Sequence, residues 1–376
     1  MRINRRSFVK LSSLVLGATA AKGRARSAFA STPPDFGLTS LDQQIWADEL
    51  AAFVPSRILD VHTHLPCWRF NLDPRKPSHP PEEVGGALFT ETTLDLLTRC
   101  NQILLPEREI HYLAFASPFP ECNFDGSNAH VAKELEKHPT AAGLMLVHPS
   151  MSAAHVEKTL DSGRFLGFKC YRFYSTTGDT VECRITDFMS EHQIALADRR
   201  GLMIMLHMAK AKACADPENL ADLQRLSSKY PRVCWILAHC ARSFTPYPIE
   251  KAGPQLRQLP NVWIETSAVC ESASFSALFE GFGTERVLYG ADNPRVGMAR
   301  GKYSSVGRGW LALDEGMIRF RGPNPTDLRL TFYGYESLRA LRYAAGWAKL
   351  SKEQIQAIFY DNAAKLIQDV RDHQAY

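Results

Sequence analysis

The sequence predicts an α/β protein that folds as a (β/α)8 TIM barrel, and two observations support this prediction. Between residues 57 and 370, short apolar runs alternate with segments whose apolar residues recur every three or four positions. Most runs are continuously apolar, which is typical of parallel strands covered on both faces. Strands and helices alternating in this way favour a closed barrel. The eight runs are Ile58–Val61, Ile110–Ala116, Gly143–Val147, Leu166–Cys170, Leu202–Leu206, Val233–Ala238, Val262–Glu265 and Arg286–Gly290.

An open, doubly wound sheet is the alternative fold, but no Gly-rich phosphate-binding loop follows any run. Two irregular segments, 66–92 and 293–334, follow the first and eighth runs and are predicted to be loops. We expect both at the C-terminal mouth of the barrel, where active sites lie. Helices are predicted over Ile185–Arg200, Asn219–Tyr230, Tyr335–Trp347 and Ser351–Gln368.

The charge balance argues against a nucleic-acid partner. The 376 residues include 44 Lys and Arg against 40 Asp and Glu, for a net charge of +4. Seven of the basic residues fall within the first 26 positions, so the remainder of the chain is slightly acidic. A basic surface for nucleic acid is therefore not indicated. The 9 cysteines lack paired CxxC spacing, which excludes a zinc ribbon and does not suggest a disulfide framework.

Residues 1–30 resemble a twin-arginine signal peptide. Arg5 and Arg6 precede the apolar run Leu11–Ala21, and a small-x-small site ends at Ala30. The run is shorter than the roughly 20 residues of a membrane span. We therefore expect recognition by the twin-arginine export machinery, cleavage near Ala30 and a periplasmic or otherwise exported protein without a stable membrane span. An amphipathic helix on the folded body is the alternative. Residues 31–56 are predicted to form an N-terminal arm, and residues 57–370 the barrel.

Metal-ligand and acid/base residues follow four of the predicted strands. His62 and His64 stand two positions apart on the first strand, so their side chains share a face. His207 follows the fifth run, His239 the sixth and Asp292 the eighth. Imidazole and carboxylate groups suit zinc. A hydrogen-bonded histidine pair at a loop would explain the first strand alone, but chance is a poor explanation for four such strand ends.

These pieces resemble the amidohydrolase superfamily, in particular its amidohydrolase-related branch of single-metal hydrolases and decarboxylases. The resemblance implies one divalent metal ion, expected to be zinc, bound by His62, His64, His207 and Asp292. It also implies that His239 lies beside the metal-bound water and contributes to catalysis. The resemblance rests on DVHTH at 60–64, GFK at 167–169, His207, LAH at 237–239, GAD at 290–292 and the closing segment Leu350–Leu366.

General chemistry gives the same division of roles. A metal with an open coordination position lowers the pKa of bound water to about 7. Asp292 is positioned to accept the proton of that water while contacting the metal, and His239 to orient the water or stabilise developing negative charge. We therefore predict His239 and Asp292 as the catalytic residues.

Four basic residues near the strand ends are predicted to contact the substrate. Lys169 belongs to GFK; in binuclear relatives a lysine of this strand is carboxylated, but in the single-metal branch GFK does not imply a second metal. Arg172, Arg242 and Arg295 each follow a strand end, and guanidinium groups match carboxylates. Salt bridges that tie loops together are the alternative role for the three arginines.

The sequence thus predicts a metal-dependent hydrolase that cleaves an amide, ester or lactone bond of a small molecule, with a carboxylate-bearing substrate favoured by the arginines. A metal-dependent non-oxidative decarboxylase on the same scaffold is the first alternative. A non-catalytic binding barrel is the second. The sequence leaves open whether the protein forms a homo-oligomer.

Overall fold

The computed structural model describes residues 35–76, 87–314 and 329–374. Within them the chain forms parallel sheets flanked by helices, with a small antiparallel hairpin late in the sequence. The predicted signal peptide lies outside the described residues. No helix in the described part of the chain is long and apolar enough to cross a membrane. The strands are β1 Arg57–Leu65, β2 Glu109–Ala116, β3 Ala142–Gly143, β4 Met145–Leu146, β5 Gly167–Cys170, β6 Met203–Leu206, β7 Cys234–Leu237, β8 Val262–Glu265, β9 Val287–Leu288, β10 Lys302–Val306 and β11 Gly309–Leu313.

Backbone hydrogen bonds join the parallel strands in chain order. Strands β1–β3 form one sheet and β4–β9 another, and β3 and β4 are separated only by Leu144, whose N–H donates to Ala114 O at 2.9 Å. At the other end Val61 N donates to Tyr289 O at 3.0 Å and His64 N to Asn293 O at 2.7 Å. With β3 and β4 counted as one strand, this is the eight-stranded, closed arrangement of a (β/α)8 barrel.

Each of the eight predicted runs overlaps a parallel strand. The main difference is β1, which continues to Leu65, beyond the predicted end at Val61. The extra residues pair with β2 as far as Ala116, so hydrogen bonding continues where the apolar pattern stops. Both His62 and His64 therefore lie within the strand itself.

Helices cover the barrel and close one end of it. The predicted helix Ile185–Arg200 is divided in two, because the chain adopts an extended conformation at Met189 and Ser190. The last helix packs Leu366 and Val370 against the interior cluster that contains Val61 and Leu288. The helices are α1 Ser40–Ile45, α2 Ala87–Thr90, α3 Leu94–Leu104, α4 Phe124–Lys137, α5 Ala153–Gly163, α6 Ile185–Phe188, α7 Glu191–Arg200, α8 Pro217–Lys229, α9 Ala238–Arg242, α10 Pro246–Arg257, α11 Ser272–Gly281, α12 Tyr333–Trp347, α13 Lys352–Gln356 and α14 Asn362–Gln374, with π-helical turns at Trp46–Leu50 and Ala357–Asp361 and 3-10 turns at Trp68–Phe70, Arg172–Tyr174 and Ala213–Ala215.

Three segments that are irregular in the sequence prediction contain regular structure, and one of them, the predicted loop 66–92, includes α2. The predicted loop 293–334 includes the hairpin of β10 and β11. The predicted N-terminal arm includes α1, where Asp42 is buried and pairs with Arg300 of the segment after β9. The arm is therefore fastened to the mouth side of the barrel rather than lying free.

Candidate metal centre

The strand ends bring all five predicted metal and catalytic residues together. The ring centroids of His62 and His64 lie 5.2 Å apart, and those of His62 and His239 4.9 Å apart. His207 follows β6, and its ring centroid is 5.0 Å from that of His239. Asp292, after β9, places Oδ1 3.2 Å from His64 Nε2 and 3.7 Å from His62 Nε2. The five side chains form one cluster at the C-terminal mouth, in which His207 is half-buried and the other four residues are buried.

The protonation states in this cluster are those that metal binding requires. Burial lowers the pKa of His62, His64 and His207 from the ordinary histidine value, so these imidazoles are neutral near pH 7. Burial opposes ionisation of Asp292, but the surrounding histidines outweigh it and hold the pKa of this carboxyl well below its usual range. The cluster therefore presents neutral imidazoles and one carboxylate, the forms that bind divalent ions.

Several ring nitrogens in the cluster lack partners within the described residues. His62 Nε2 and the Nδ1 atoms of His64 and His207 are buried and make no hydrogen bond there. Unpaired buried polar atoms cost free energy, so this donor set fits a bound divalent metal. One group of three, His62, His239 and Asp292, offers ligand atoms that all lie within 4.8 Å of one another, and His64 and His207 lie outside this group. The group includes His239, for which we predicted a catalytic role.

The backbone at two of these residues is left-handed. His239 has φ 58° and ψ 52°, and the following residues through Arg242 keep positive φ, so α9 is a left-handed turn. Asp292 also has a positive φ of 57°. Such conformations are costly for residues other than glycine and are maintained at functional sites by surrounding contacts. The turn ends β7 and places the His239 ring in the cluster.

Glu265 and Ser267 are site residues that the sequence analysis did not identify. Glu265 is fully buried at the end of β8, and its Oε1 lies 2.9 Å from His62 Nδ1. Ser267 Oγ lies 2.9 Å from His239 Nδ1. In the sequence, Glu265 is recognisable as a carboxylate at the end of an otherwise apolar run. Gly290 of the GAD segment is also explained, because a Cβ there would lie 2.5 Å from Glu265 Oε2.

A cavity of about 270 Å³ opens onto the cluster. The hairpin contributes Tyr303, whose ring packs 5.0 Å from that of Phe244, and Phe244 in turn stacks 5.7 Å from His239. Aromatic rings thus form one part of the cavity wall, through Tyr171, Phe173 and Tyr303, while most of the other lining residues are polar. The lining residues are His64, Ser117, Pro118, Tyr171, Arg172, Phe173, His207, His239, Asp292, Arg295, Val296 and Tyr303.

The four predicted substrate residues occupy different positions. Arg172 and Arg295 line the cavity, although the Arg172 guanidinium also donates to Thr180 O. Arg242 does not line the cavity and donates to Lys210 O at 2.6 Å, which is the loop-tying role given above as the alternative.

Lys169 is fully buried on β5. Its Nζ lies 5.0 Å from the Phe115 ring centroid and 4.8 Å from that of Tyr171, and it makes no hydrogen bond within the described residues. Burial lowers the pKa of this amine to about 8. The structure therefore places it near the cluster but outside the cavity lining.

Fold and site together define a TIM-barrel enzyme with a divalent-metal centre. Residues 114–368 match the family model described as Amidohydrolase, and the chain belongs to this family, within the amidohydrolase-related superfamily. No curated protein matches the chain.

Solved structures of similar fold include enzymes of two reaction types. A dihydroxybenzoic acid decarboxylase from Polaromonas sp. JS666 with bound manganese has a TM-score of 0.53 at 14% identity, covering 84% of this chain and 97% of that one. A protein from Pseudomonas putida described as a 2-pyrone-4,6-dicarboxylic acid hydrolase has a TM-score of 0.52 at 15% identity, covering 83% and 98%. An amidohydrolase from Burkholderia multivorans has a TM-score of 0.52 at 13% identity, covering 82% and 98%. At these identities the likeness concerns the fold alone.

Proposed function

We propose that this protein is a metal-dependent hydrolase that cleaves an amide, ester or lactone bond of a small, carboxylate-bearing molecule. One observation carries the proposal: the buried histidine and aspartate cluster, with unpaired ring nitrogens, lies at the base of a cavity that also contains Arg295. Metal ligands, acid/base groups and a cation for the substrate thus share one cavity.

The residues of the chain divide the work of hydrolysis. A divalent ion bound by His62, His64, His207 and Asp292 would lower the pKa of a coordinated water to about 7 and polarise the substrate carbonyl. The ionised Asp292 carboxylate accepts a proton from the attacking water. His239 faces the same space and orients the attacking water.

The cavity supports a small anionic substrate. Its volume of about 270 Å³ is at the low end for small-molecule sites. Arg295 makes no hydrogen bond or ion pair with the described residues, so its guanidinium is available to a substrate carboxylate. Arg172 provides a second positive charge at the same wall.

A metal-dependent non-oxidative decarboxylase is the second candidate. The two cavity arginines favour it, because decarboxylation requires a carboxylate held near the metal. A solved structure of similar fold is 2,6-dihydroxybenzoate decarboxylase in complex with 2,6-dihydroxybenzoate, with a TM-score of 0.53.

Solvent labelling separates the two candidates. The protein is screened against lactones, amides and aromatic acids, and the first substrate found is then turned over in H₂¹⁸O. Under the hydrolase proposal, ¹⁸O appears in the new hydroxyl or carboxylate of the product. Release of carbon dioxide, with solvent deuterium incorporated at carbon in D₂O, would refute hydrolysis and establish the decarboxylase.

We propose zinc as the ion, since imidazole and carboxylate ligands suit it. Elemental analysis of protein produced with both zinc and manganese available should find about one zinc per chain. Manganese instead of zinc would refute the identity of the ion, and two metal equivalents would refute the single-metal site.

We also propose that the protein is exported by the twin-arginine route. The Arg5 and Arg6 pair, the short apolar run and the site at Ala30 support this. N-terminal sequencing of extracytoplasmic protein should begin near Ser31, and Arg5→Lys with Arg6→Lys should retain the precursor in the cytoplasm. An intact Met1 on the exported protein would refute cleavage.

A further inference from the structure

One buried carboxylate is connected to three strand ends of the site. Glu265 Oε1 lies 2.9 Å from His62 Nδ1, 2.6 Å from the backbone N of His239 and 2.9 Å from Ser267 Oγ. Its Oε2 accepts from the backbone N of Ser267 at 2.6 Å. Glu265 has no solvent exposure. No lysine or arginine lies within ion-pair distance of it among the described residues, although the buried Lys169 interacts with it electrostatically.

The contact with His62 determines which nitrogen of that ring is free. A carboxylate only accepts hydrogen bonds, so His62 Nδ1 must carry the hydrogen. His62 Nε2 is then the lone-pair nitrogen, and this is the atom that is buried without a partner, 3.7 Å from Asp292 Oδ1. Glu265 thus directs the unprotonated nitrogen of His62 to the carboxylate of the cluster.

The contact with Ser267 determines the state of His239 in the same way. The Ser267 hydroxyl has one hydrogen, which it donates to Glu265 Oε1. Its oxygen therefore accepts from His239 Nδ1–H at 2.9 Å, and His239 Nε2 is left as a lone pair. The bond from the His239 backbone N to Glu265 also begins the left-handed turn of α9.

We propose that Glu265 is a positioning residue that fixes the tautomers of both histidines, His62 directly and His239 through Ser267, so that each presents an unprotonated Nε2 to the metal centre. The inference rests on the metal site of the proposed function. Histidine ligands whose second nitrogen is held by a carboxylate are better oriented and more basic, and loss of such a partner typically weakens metal binding about 10–100-fold.

The tautomers themselves can be measured without metal. In chelator-treated protein labelled with ¹⁵N-histidine, long-range ¹H–¹⁵N spectra distinguish Nδ1–H from Nε2–H rings, with His62→Asn and His239→Asn providing the assignments. Both rings should be Nδ1–H in the wild type. Ser267→Ala removes the hydroxyl but keeps the backbone O of residue 267, which lies 3.3 Å from His239 Nδ1, so it should weaken but not abolish the Nδ1–H preference of His239 while His62 stays Nδ1–H. An Nε2–H ring at either position in the wild type would overturn the inference.

Metal affinity provides the second readout, with zinc alone titrated against a competing chelator. Glu265→Gln keeps the size but loses the charge and should bind zinc about 10–100-fold more weakly. Glu265→Asp should recover part of the loss, and Ile264→Val, which perturbs the same strand beside the network, should bind as the wild type does. Equal affinity of wild type and Glu265→Gln would overturn positioning while leaving the metal site intact. A wild type that binds no metal would instead refute the proposed function, and the tautomer measurement would still decide the role of Glu265.

Discussion

His64 Nε2 lies 3.2 Å from Asp292 Oδ1, although His64 lies on the first strand of the barrel and Asp292 follows the last one. The contact exists because the barrel closes, with His64 N donating to Asn293 O next to it. Closing the barrel therefore also brings these two site residues together. A substitution that breaks the contacts between the first and last strands should weaken metal binding as well as lower stability.

The first prediction concerns the metal ligands. His62→Ala and His207→Ala each remove an imidazole from the cluster and should leave the protein folded with much less than the approximately one metal ion expected per chain. Elemental analysis together with circular dichroism measures both properties. His155→Ala, at an exposed histidine paired with Asp125, is the control and should keep its metal. Full metal occupancy in the His207 variant would exclude that residue from the ligand set.

The second prediction concerns His239. If it acts on water and substrate, His239→Ala should lower turnover about 10²–10⁴-fold while metal content is unchanged. The geometry makes this a sharp test, because an atom of His239 lies within 4.8 Å of atoms of His62 and Asp292. Loss of the metal in this variant would show that His239 is a ligand and would contradict the catalytic role.

The barrel and the five site residues were accessible from the sequence for a common physical reason. Parallel strands buried on both faces produce continuous apolar runs, and a polar residue at the end of such a run is conspicuous. Glu265 met the same criterion, yet its role depends on partners from β1 and β7 that no local pattern reveals. The left-handed turn after His239 was equally inaccessible, because it contains no glycine.

The contacts of the arginines could not be predicted from the sequence either. Arg242 and Arg295 stand at similar positions after their strands, but Arg242 is held by Lys210 O while Arg295 lines the cavity. The spacing of a guanidinium from a strand end says nothing about which carbonyl lies within its reach. The hairpin of β10 and β11 was also missed, since its pairing lies in a segment whose Gly and Pro content is typical of loops.

The third prediction uses this difference between the arginines. Arg295→Ala should raise KM for a carboxylate-bearing substrate with little change in thermal stability, because Arg295 makes no hydrogen bond or ion pair with the described residues. Arg242→Ala should mainly lower the melting temperature, because it leaves Lys210 O without that donor. Steady-state kinetics and thermal denaturation of both variants test the assignment. An unchanged KM in the Arg295 variant would remove that residue from substrate binding.

The fourth prediction concerns the fastening of the N-terminal arm and its dependence on pH. Arg300 Nη2 lies 2.7 Å from Asp42 Oδ2, and Thr331 Oγ1 donates to Asp42 Oδ1 at 2.7 Å. Burial opposes ionisation of Asp42, but these donors outweigh it and lower the pKa of the carboxyl to about 2. A depressed pKa means that the ion pair stabilises the fold above the unfolded-state value near 4 and that this stabilisation is lost as pH falls toward 2.

Asp42→Asn should therefore cost about 2 kcal/mol of unfolding free energy at pH 6 and progressively less between pH 4 and pH 2. Urea denaturation across this pH range measures the unfolding free energy of wild type and variant. The difference between the two values removes the contribution of the other carboxyls, because they titrate in both proteins. Asp48→Asn, an exposed substitution on the same arm, is the control and should show no such trend. A difference between wild type and Asp42→Asn that stays constant from pH 6 to pH 2 would contradict the argument, because the Asp42 carboxylate would then contribute no proton linkage to folding.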